Sequence, residues 1–192
     1  MVKHSKDAIE VWLDQSVHVP ARTLYIGDFG EMNVGADLAA TVIKAFHLFN
    51  TSSVDKPVTV YLNTTGGDWF HGLAIYDTIL HAQSDVQIYG TGYVMSMGSV
   101  IMQAATERWM YPSATMMIHD GFSGYYADTR SSLAWSKFEE RSLDYMYDIY
   151  ASRSGKPASL FKDLCSHDTL LTAREAKDLG LIDYIVGEDV DG

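Results

Sequence analysis

A single cysteine, Cys165, stands in 192 residues. One thiol excludes a disulfide framework and any metal site built from several thiolates. It fits a reducing compartment, and a cytoplasmic location is expected. Basic residues are scarce, with 14 Lys and Arg against 25 Asp and Glu, a formal net charge of -11. Such a field repels a phosphate backbone, and no run of clustered Lys and Arg offsets it, so no nucleic-acid partner is expected. Long apolar runs are missing too. The longest nearly apolar stretch, Tyr93 to Ala105, is too short and too interrupted by Ser and Gly to span a bilayer, so no membrane partner is expected. The start, Met-Val-Lys-His-Ser-Lys-Asp-Ala-Ile-Glu, lacks the apolar core of a signal peptide. The sequons Asn50-Thr51-Ser52 and Asn63-Thr64-Thr65 then read as chance matches. There is no Gly-x-x-x-x-Gly-Lys loop and no His-Glu-x-x-His pair. Gly90-Thr91-Gly92 starts like a dinucleotide fingerprint, but Met95 occupies the third glycine position. No metal is expected.

What is present is ordinary globular material: 47% hydrophobic and 20% charged residues, enough chain for one domain spanning 1–192. Short β-like runs alternate with helical patterns, which predicts an α/β protein built from crossover units. Strands are predicted at Thr23–Ile26, Pro57–Leu62, Val86–Thr91, Arg108–Tyr111, Thr115–Ile118 and Leu181–Val186. A helix over Ala36–Phe49 carries Leu38, Val42, Ala45 and Phe49 on one face. Another, from about Trp69 to His81, carries Trp69, Leu73, Tyr76 and Leu80, and a third runs from about Met97 to Ala105. The longest helical pattern lies within Asp128–Ser154. Its two apolar sets (Ala134, Phe138, Tyr145, Ile149 and Trp135, Leu143, Met146, Tyr150) need more than one surface to cover them. Either a projecting element used for self-association or a central core helix meets that need. Gly155-Lys156-Pro157 ends it, Thr172-Ala173-Arg174-Glu175 has the form of a capping box, and Gly180 closes the short helix that follows. The acidic tail Gly187–Gly192 is expected to fray.

Three polar residues stand at positions where chemistry is placed. Ser96, in Val94-Met95-Ser96-Met97-Gly98-Ser99, sits where a strand hands over to a helix. A hydroxyl there lies beside the free N–H groups of the first helical turn, which can stabilise an oxyanion. Ser is also the most ordinary helix N-cap, and Val94 holds the first glycine position of the Gly-x-Ser-x-Gly elbow. Of seven histidines, His119 ends the apolar strand Thr115-Met116-Met117-Ile118, where α/β proteins open a ligand crevice. His47, His71 and His81 fall within helical patterns and read as packing or surface residues. Asp168 precedes Leu170-Leu171 and offers a carboxylate to orient an imidazole, or else simply a turn residue. Asp120 is nearer in sequence, but a neighbour on an extended segment points the other way. Gly66-Gly67, after a strand, lets the backbone approach a substrate, or makes a tight turn.

Together these pieces resemble the ClpP family, the proteolytic subunits of the Clp protease. The matching stretches are Tyr61 to Gly67, Ala74 to Thr78, Ser96 to Ser99, Met116 to His119 and Leu171 to Asp183. They stand in the family's order and close to its spacing, over roughly Thr23 to Val186. The resemblance implies an α/β fold of the ClpP/crotonase type, stacked ββα units with a protruding handle helix. The handle region would cover about 122–154 and an N-terminal axial segment 1–20. It implies Ser96 as nucleophile, His119 as general base and then acid, Asp168 as orienting carboxylate, and the N–H groups of Gly67 and Met97 as oxyanion hole. The reaction would be serine endopeptidase hydrolysis of unfolded polypeptides through an acyl-enzyme, with no cofactor in this chain. The family's partners would be copies of itself in two stacked heptameric rings, a tetradecamer, and an AAA+ unfoldase that uses ATP.

The chain departs from the family pattern at four places. Thr64-Thr65-Gly66-Gly67 replaces the usual Ser-Pro-Gly-Gly, which alters the approach to the oxyanion hole. Asp120-Gly121 replaces Gln-Pro, placing a negative charge next to the base. Ser166-His167 replaces an Asp-Arg pair at the ring-to-ring contact, so ring stacking is expected to respond to pH. The segment through Val19 matches poorly, which bears on docking to a standard unfoldase. Three other functions share the scaffold: a catalytically idle structural ring subunit, an enoyl-CoA hydratase-like enzyme, and a processing peptidase that works without an unfoldase.

Overall fold

Val58, Val60, Leu62 and Thr64 alternate with Thr59, Tyr61 and Asn63, and strand β3 (Val58–Thr64) buries the first set while half-exposing the second. The structure is a computed structural model that describes residues 16–27, 33–122 and 128–189. Strand β3 lies between β2 (Thr23–Gly27) and β4 (Val86–Met95), parallel to both. Parallel neighbours need crossovers, supplied here by helices α1 (Ala36–Asn50) and α2 (Trp69–Leu80). Strand β1 (Val17–His18) adds an antiparallel edge to β2.

Ten residues long, β4 serves two neighbours. Gln87–Gly90 pairs with β5 (Glu107–Met110), and Tyr93–Met95 pairs with β6 (Thr115–Ile118). Helix α3 (Met97–Met102) follows β4 directly and is buried along its whole length. Beyond β6 come the long helix α4 (Thr129–Ser154) and helix α5 (Ala158–Cys165). Strand β7 (Thr169–Thr172) then returns antiparallel to β6. Helix α6 (Ala173–Asp178) and strand β8 (Tyr184–Ile185), parallel to β5, close the order. No helix among the described residues is long and apolar enough to cross a membrane.

The core gathers between the sheet and the helices, with Ile26, Val60, Leu62, Ile88 and Met116 fully buried. The other sheet face carries one aromatic per strand in register. Tyr25, Tyr61, Tyr89, Trp109 and Tyr184 stand with successive ring centroids 5.4, 5.7, 5.7 and 4.3 Å apart. Helix α4 is buried only toward its end, at Met146, Tyr147, Ile149 and Tyr150. Its first half leaves Leu133 60% and Trp135 40% exposed, as a projecting element would.

Several expectations need correction. Helix α2 buries Gly72, Ile75, Tyr76 and Ile79, while Leu80 is exposed: the stripe turns one residue away from the one read from the sequence. The last strand is only Tyr184–Ile185, because Leu181 and Ile182 bury their side chains without joining the sheet. The tail does not fray through Asp189. Glu188 pairs with Arg174, and Asp189 accepts from Lys177 Nζ at 2.6 Å and from the Ile185 N–H at 2.7 Å. Strand β7 is absent from the sequence reading. Of the expected axial segment 1–20, residues 1–15 lie outside the described residues, as do 123–127 of the expected handle.

Candidate active site

Strand register builds the site. Strands β4 and β6 run parallel with Met95 opposite Met117, and the Ser96 N–H donates to the Met117 carbonyl at 2.8 Å. Ser96 therefore sits one step past its strand, next to the end of β6. Strands β6 and β7 run antiparallel with Ile118 opposite Thr169. One step further along that ladder, His119 and Asp168 face each other as cross-strand neighbours.

The three side chains meet. The Ser96 hydroxyl lies 2.8 Å from His119 Nε2, and His119 Nδ1 lies 2.9 Å from Asp168 Oδ1. A carboxylate only accepts, so the proton of the neutral ring belongs on Nδ1. That leaves the Nε2 lone pair facing the Ser96 hydroxyl. The imidazole is largely buried, with 11% of its side chain exposed, while Asp168 is open to solvent at 64%.

Ser96 does not cap helix α3. Its side chain makes no capping hydrogen bond, and its backbone stands at φ 51°, ψ -122°. That is outside the wells an L residue prefers and costs on the order of 1–3 kcal/mol. The strained strand-to-helix turn of a nucleophile elbow is thus formed without its first glycine. The Val94 side chain finds room beside Gly90, where a Cβ would stand 2.6 Å from one of its methyls.

Gly66 and Gly67 have separate tasks. Gly66 has φ +111°, and a Cβ on it would stand 2.6 Å from Ser96 Cβ and 3.1 Å from Ser96 Oγ. Only glycine lets the loop lie against the hydroxyl. Gly67 faces Val34, whose N–H donates to Gly66 O at 3.1 Å and whose carbonyl accepts from the Asp68 N–H at 2.8 Å. That bridge uses the groups either side of Gly67 and turns the Gly67 N–H away from Val34. The Met97 N–H belongs to the first turn of helix α3 and has no partner within it. Gly67 and Met97 both line a cleft of about 630 Å³ that also holds Ser96 and His119. Its apolar wall comes from Trp69, Phe70, Met97, Phe138, Leu143 and Met146, drawn from α2, α3 and α4. Phe70 and Phe138 stack across it at 5.9 Å.

Sequence reasoning singled out Ser96, His119, Asp168, Gly67 and Met97, and the fold brings all five to this cleft. It missed Gly66 as the spacer against Ser96. It also missed what Asp120 does: its carboxylate accepts from the Tyr147 hydroxyl on α4 at 2.6 Å. As expected, Asp168 and not Asp120 bonds the imidazole.

Known proteins share this arrangement of chain. The family model for Clp protease matches residues 22–189. The ATP-dependent Clp protease proteolytic subunit of Chaetosphaeridium globosum is 32% identical over 173 residues, 88% of this chain and 84% of that protein. The protein of the same name from Adiantum capillus-veneris is 30% identical over 184 residues, 94% and 90% of the two chains. Among solved structures, a point mutant of ClpP1 from Listeria monocytogenes superposes with a TM-score of 0.78 at 26% identity, covering 88% of this chain and 92% of that one. This chain belongs to the Clp protease family.

Proposed function

We propose that Ser96, His119 and Asp168 carry out peptide hydrolysis in this member of the Clp protease family. The observation that carries the reading is the unbroken line from Ser96 Oγ through the His119 ring to Asp168 Oδ1, on a strained turn beside the N–H groups of Gly67 and Met97. The peptide enters the cleft with its scissile carbonyl oxygen toward those two N–H groups. Ser96 Oγ attacks the carbonyl carbon while His119 Nε2 takes its proton. Asp168 holds the ring in the required tautomer and stabilises the imidazolium. The two N–H groups receive the developing negative charge, a contribution worth roughly 2.7–4 kcal/mol per donor in comparable sites. The amine leaves with the proton from His119. Water, activated by the same imidazole, then releases the acyl group from Ser96. Apart from the peptide and that water, the groups used are this chain's own, and no cofactor is assigned.

The broader setting is a protease chamber built from rings of this subunit. Two stacked heptamers are the proposed assembly, with an AAA+ unfoldase delivering unfolded polypeptide and a cytoplasmic location. The exposed apolar residues on α4, Leu133 and Trp135, support self-association through that helix. His167, at the position the resemblance gives to the ring contact, is exposed, with Nδ1 3.2 Å from Ser166 Oγ and Nε2 3.3 Å from Thr169 Oγ1. Stacking is therefore proposed to respond to pH. Identical sedimentation profiles at about pH 5.5 and about pH 8, unchanged in His167→Ala, contradict that.

Hydrolysis of a fluorogenic peptide that needs no unfolding tests the activity. Ser96→Ala is expected to fall to background. Turnover that survives the substitution refutes the assignment.

A further inference from the structure

The backbone around His119 is held unequally on its two sides. Up to Ile118 the chain is fixed by ladders to both β4 and β7. Beyond His119 those ladders have ended. Gly121 has nothing within 4 Å of where a side chain would stand, and Phe122 is 96% exposed. Between them and the ladders, Asp120 is tied twice. Its N–H donates to the Cys165 carbonyl at the end of α5 at 2.9 Å, and its carboxylate accepts from Tyr147 Oη on α4 at 2.6 Å. Tyr147 is only 4% exposed. Asp168 cannot substitute for this anchorage, because it is itself 64% exposed.

We propose that Asp120 and Tyr147 form a positioning pair that holds the His119 imidazole in line with Ser96. The proposal rests on the peptidase reading above and adds to it two residues that touch neither substrate nor the reacting atoms. Carbonyl and carboxylate pull the residue after the base toward α5 and α4, so the base has an anchor on each side. A charged acceptor makes the stronger kind of hydrogen bond. Burial, followed by the bond to Asp120, pushes the Tyr147 phenol well above its ordinary range, so it remains a donor while the enzyme works. The tie reaches the buried end of the same helix whose exposed first half carries Leu133 and Trp135.

The test is steady-state hydrolysis of a short fluorogenic peptide by the assembled full-length protein, with melting curves measured alongside. Tyr147→Phe and Asp120→Ala are expected to lower kcat by roughly tenfold with KM little changed, as for a base displaced from its line. Asp120→Asn keeps an oxygen acceptor for Tyr147 and is expected to hold kcat within about threefold of wild type. If Tyr147→Phe and Asp120→Ala turn over at the wild-type rate, the inference is overturned and the peptidase reading stands. A loss of kcat in Asp120→Asn as large as in Asp120→Ala also overturns it. Should Asp120→Ala fail to assemble, the conservative Tyr147→Phe decides by the same criterion. Wild-type protein inert toward every peptide removes the peptidase reading itself.

Discussion

The Tyr150 hydroxyl lies 2.7 Å from Ser99 Oγ, and Ser99 Oγ lies 2.6 Å from the Ser96 carbonyl oxygen. A hydroxyl has one proton. Ser99 gives its own to the Ser96 carbonyl, so Tyr150 is the donor to Ser99. Tyr150 is 1% exposed, and burial pushes its phenol far up, which keeps the proton in place. The strained turn at Ser96 is thus braced from α4 through two hydroxyls.

Removing either hydroxyl is expected to cost stability unequally. Ser99→Ala strands a buried Tyr150 O–H and should cost about 1–3 kcal/mol, whereas Tyr150→Phe leaves only an underused acceptor and should cost about 1 kcal/mol. Urea unfolding of the two variants measures the difference. Equal losses would mean that Tyr150 is not the donor.

Gly66→Ala is expected to lower kcat/KM by roughly a hundredfold, because the new methyl meets Ser96 Cβ at 2.6 Å and must displace the hydroxyl. Peptide turnover measures the change. A variant within a few-fold of wild type contradicts the close approach.

Arg108 is 3% exposed and binds Asp183 through its backbone N–H, Nε and a terminal nitrogen at 2.9, 3.1 and 2.5 Å. Burial raises the Asp183 carboxyl, but the hydrogen bonds and charge of Arg108 outweigh it and hold the pKa below the ordinary 3.8. A depressed folded-state pKa contributes stability above the unfolded value and loses it as pH falls through the folded one. Asp183→Ala is therefore expected to cost about 3 kcal/mol near neutrality by leaving Arg108 buried and unpaired. The gap from wild type should narrow below about pH 4. Denaturant titrations across that range read it directly, and a gap that does not change with pH contradicts the pair.

Asp68 and Glu139 line the apolar side of the cleft, and no Lys or Arg among the described residues lines it. Peptides with Lys beside a large apolar residue should show a kcat/KM about tenfold above matched Glu peptides at low salt. Added salt should shrink the difference. Equal rates at low salt contradict the reading of the cleft's charge.

Much of this was legible in the sequence, for reasons that differ by residue. The apolar runs at Val58–Leu62 and Thr115–Ile118 announce strands by composition; His119 stands out because it ends the second of them, and Ser96 because it sits where a strand hands over to a helix. Thr169-Leu170-Leu171-Thr172 gives no such signal. Only Leu171 of the four is buried, so the strand that sets Asp168 opposite His119 has no clean alternation to read. The stripe on α2 is misread because Trp69 and Leu80 are apolar for other reasons, Trp69 at the cleft wall and Leu80 on the surface. Asp120 with Tyr147 and Ser99 with Tyr150 are invisible in sequence. Each pair is separated by 27 or 51 residues and depends on α4 folding back beside α3 and the residues just past β6.

Covalent labelling tests the central claim most directly. Fluorophosphonate treatment of the assembled protein, mapped by mass spectrometry, is predicted to modify Ser96 rapidly, and the modification should nearly vanish in His119→Ala. Labelling at Ser96 that is indifferent to His119, or a hydroxyl other than Ser96 carrying the phosphonyl group, would contradict it.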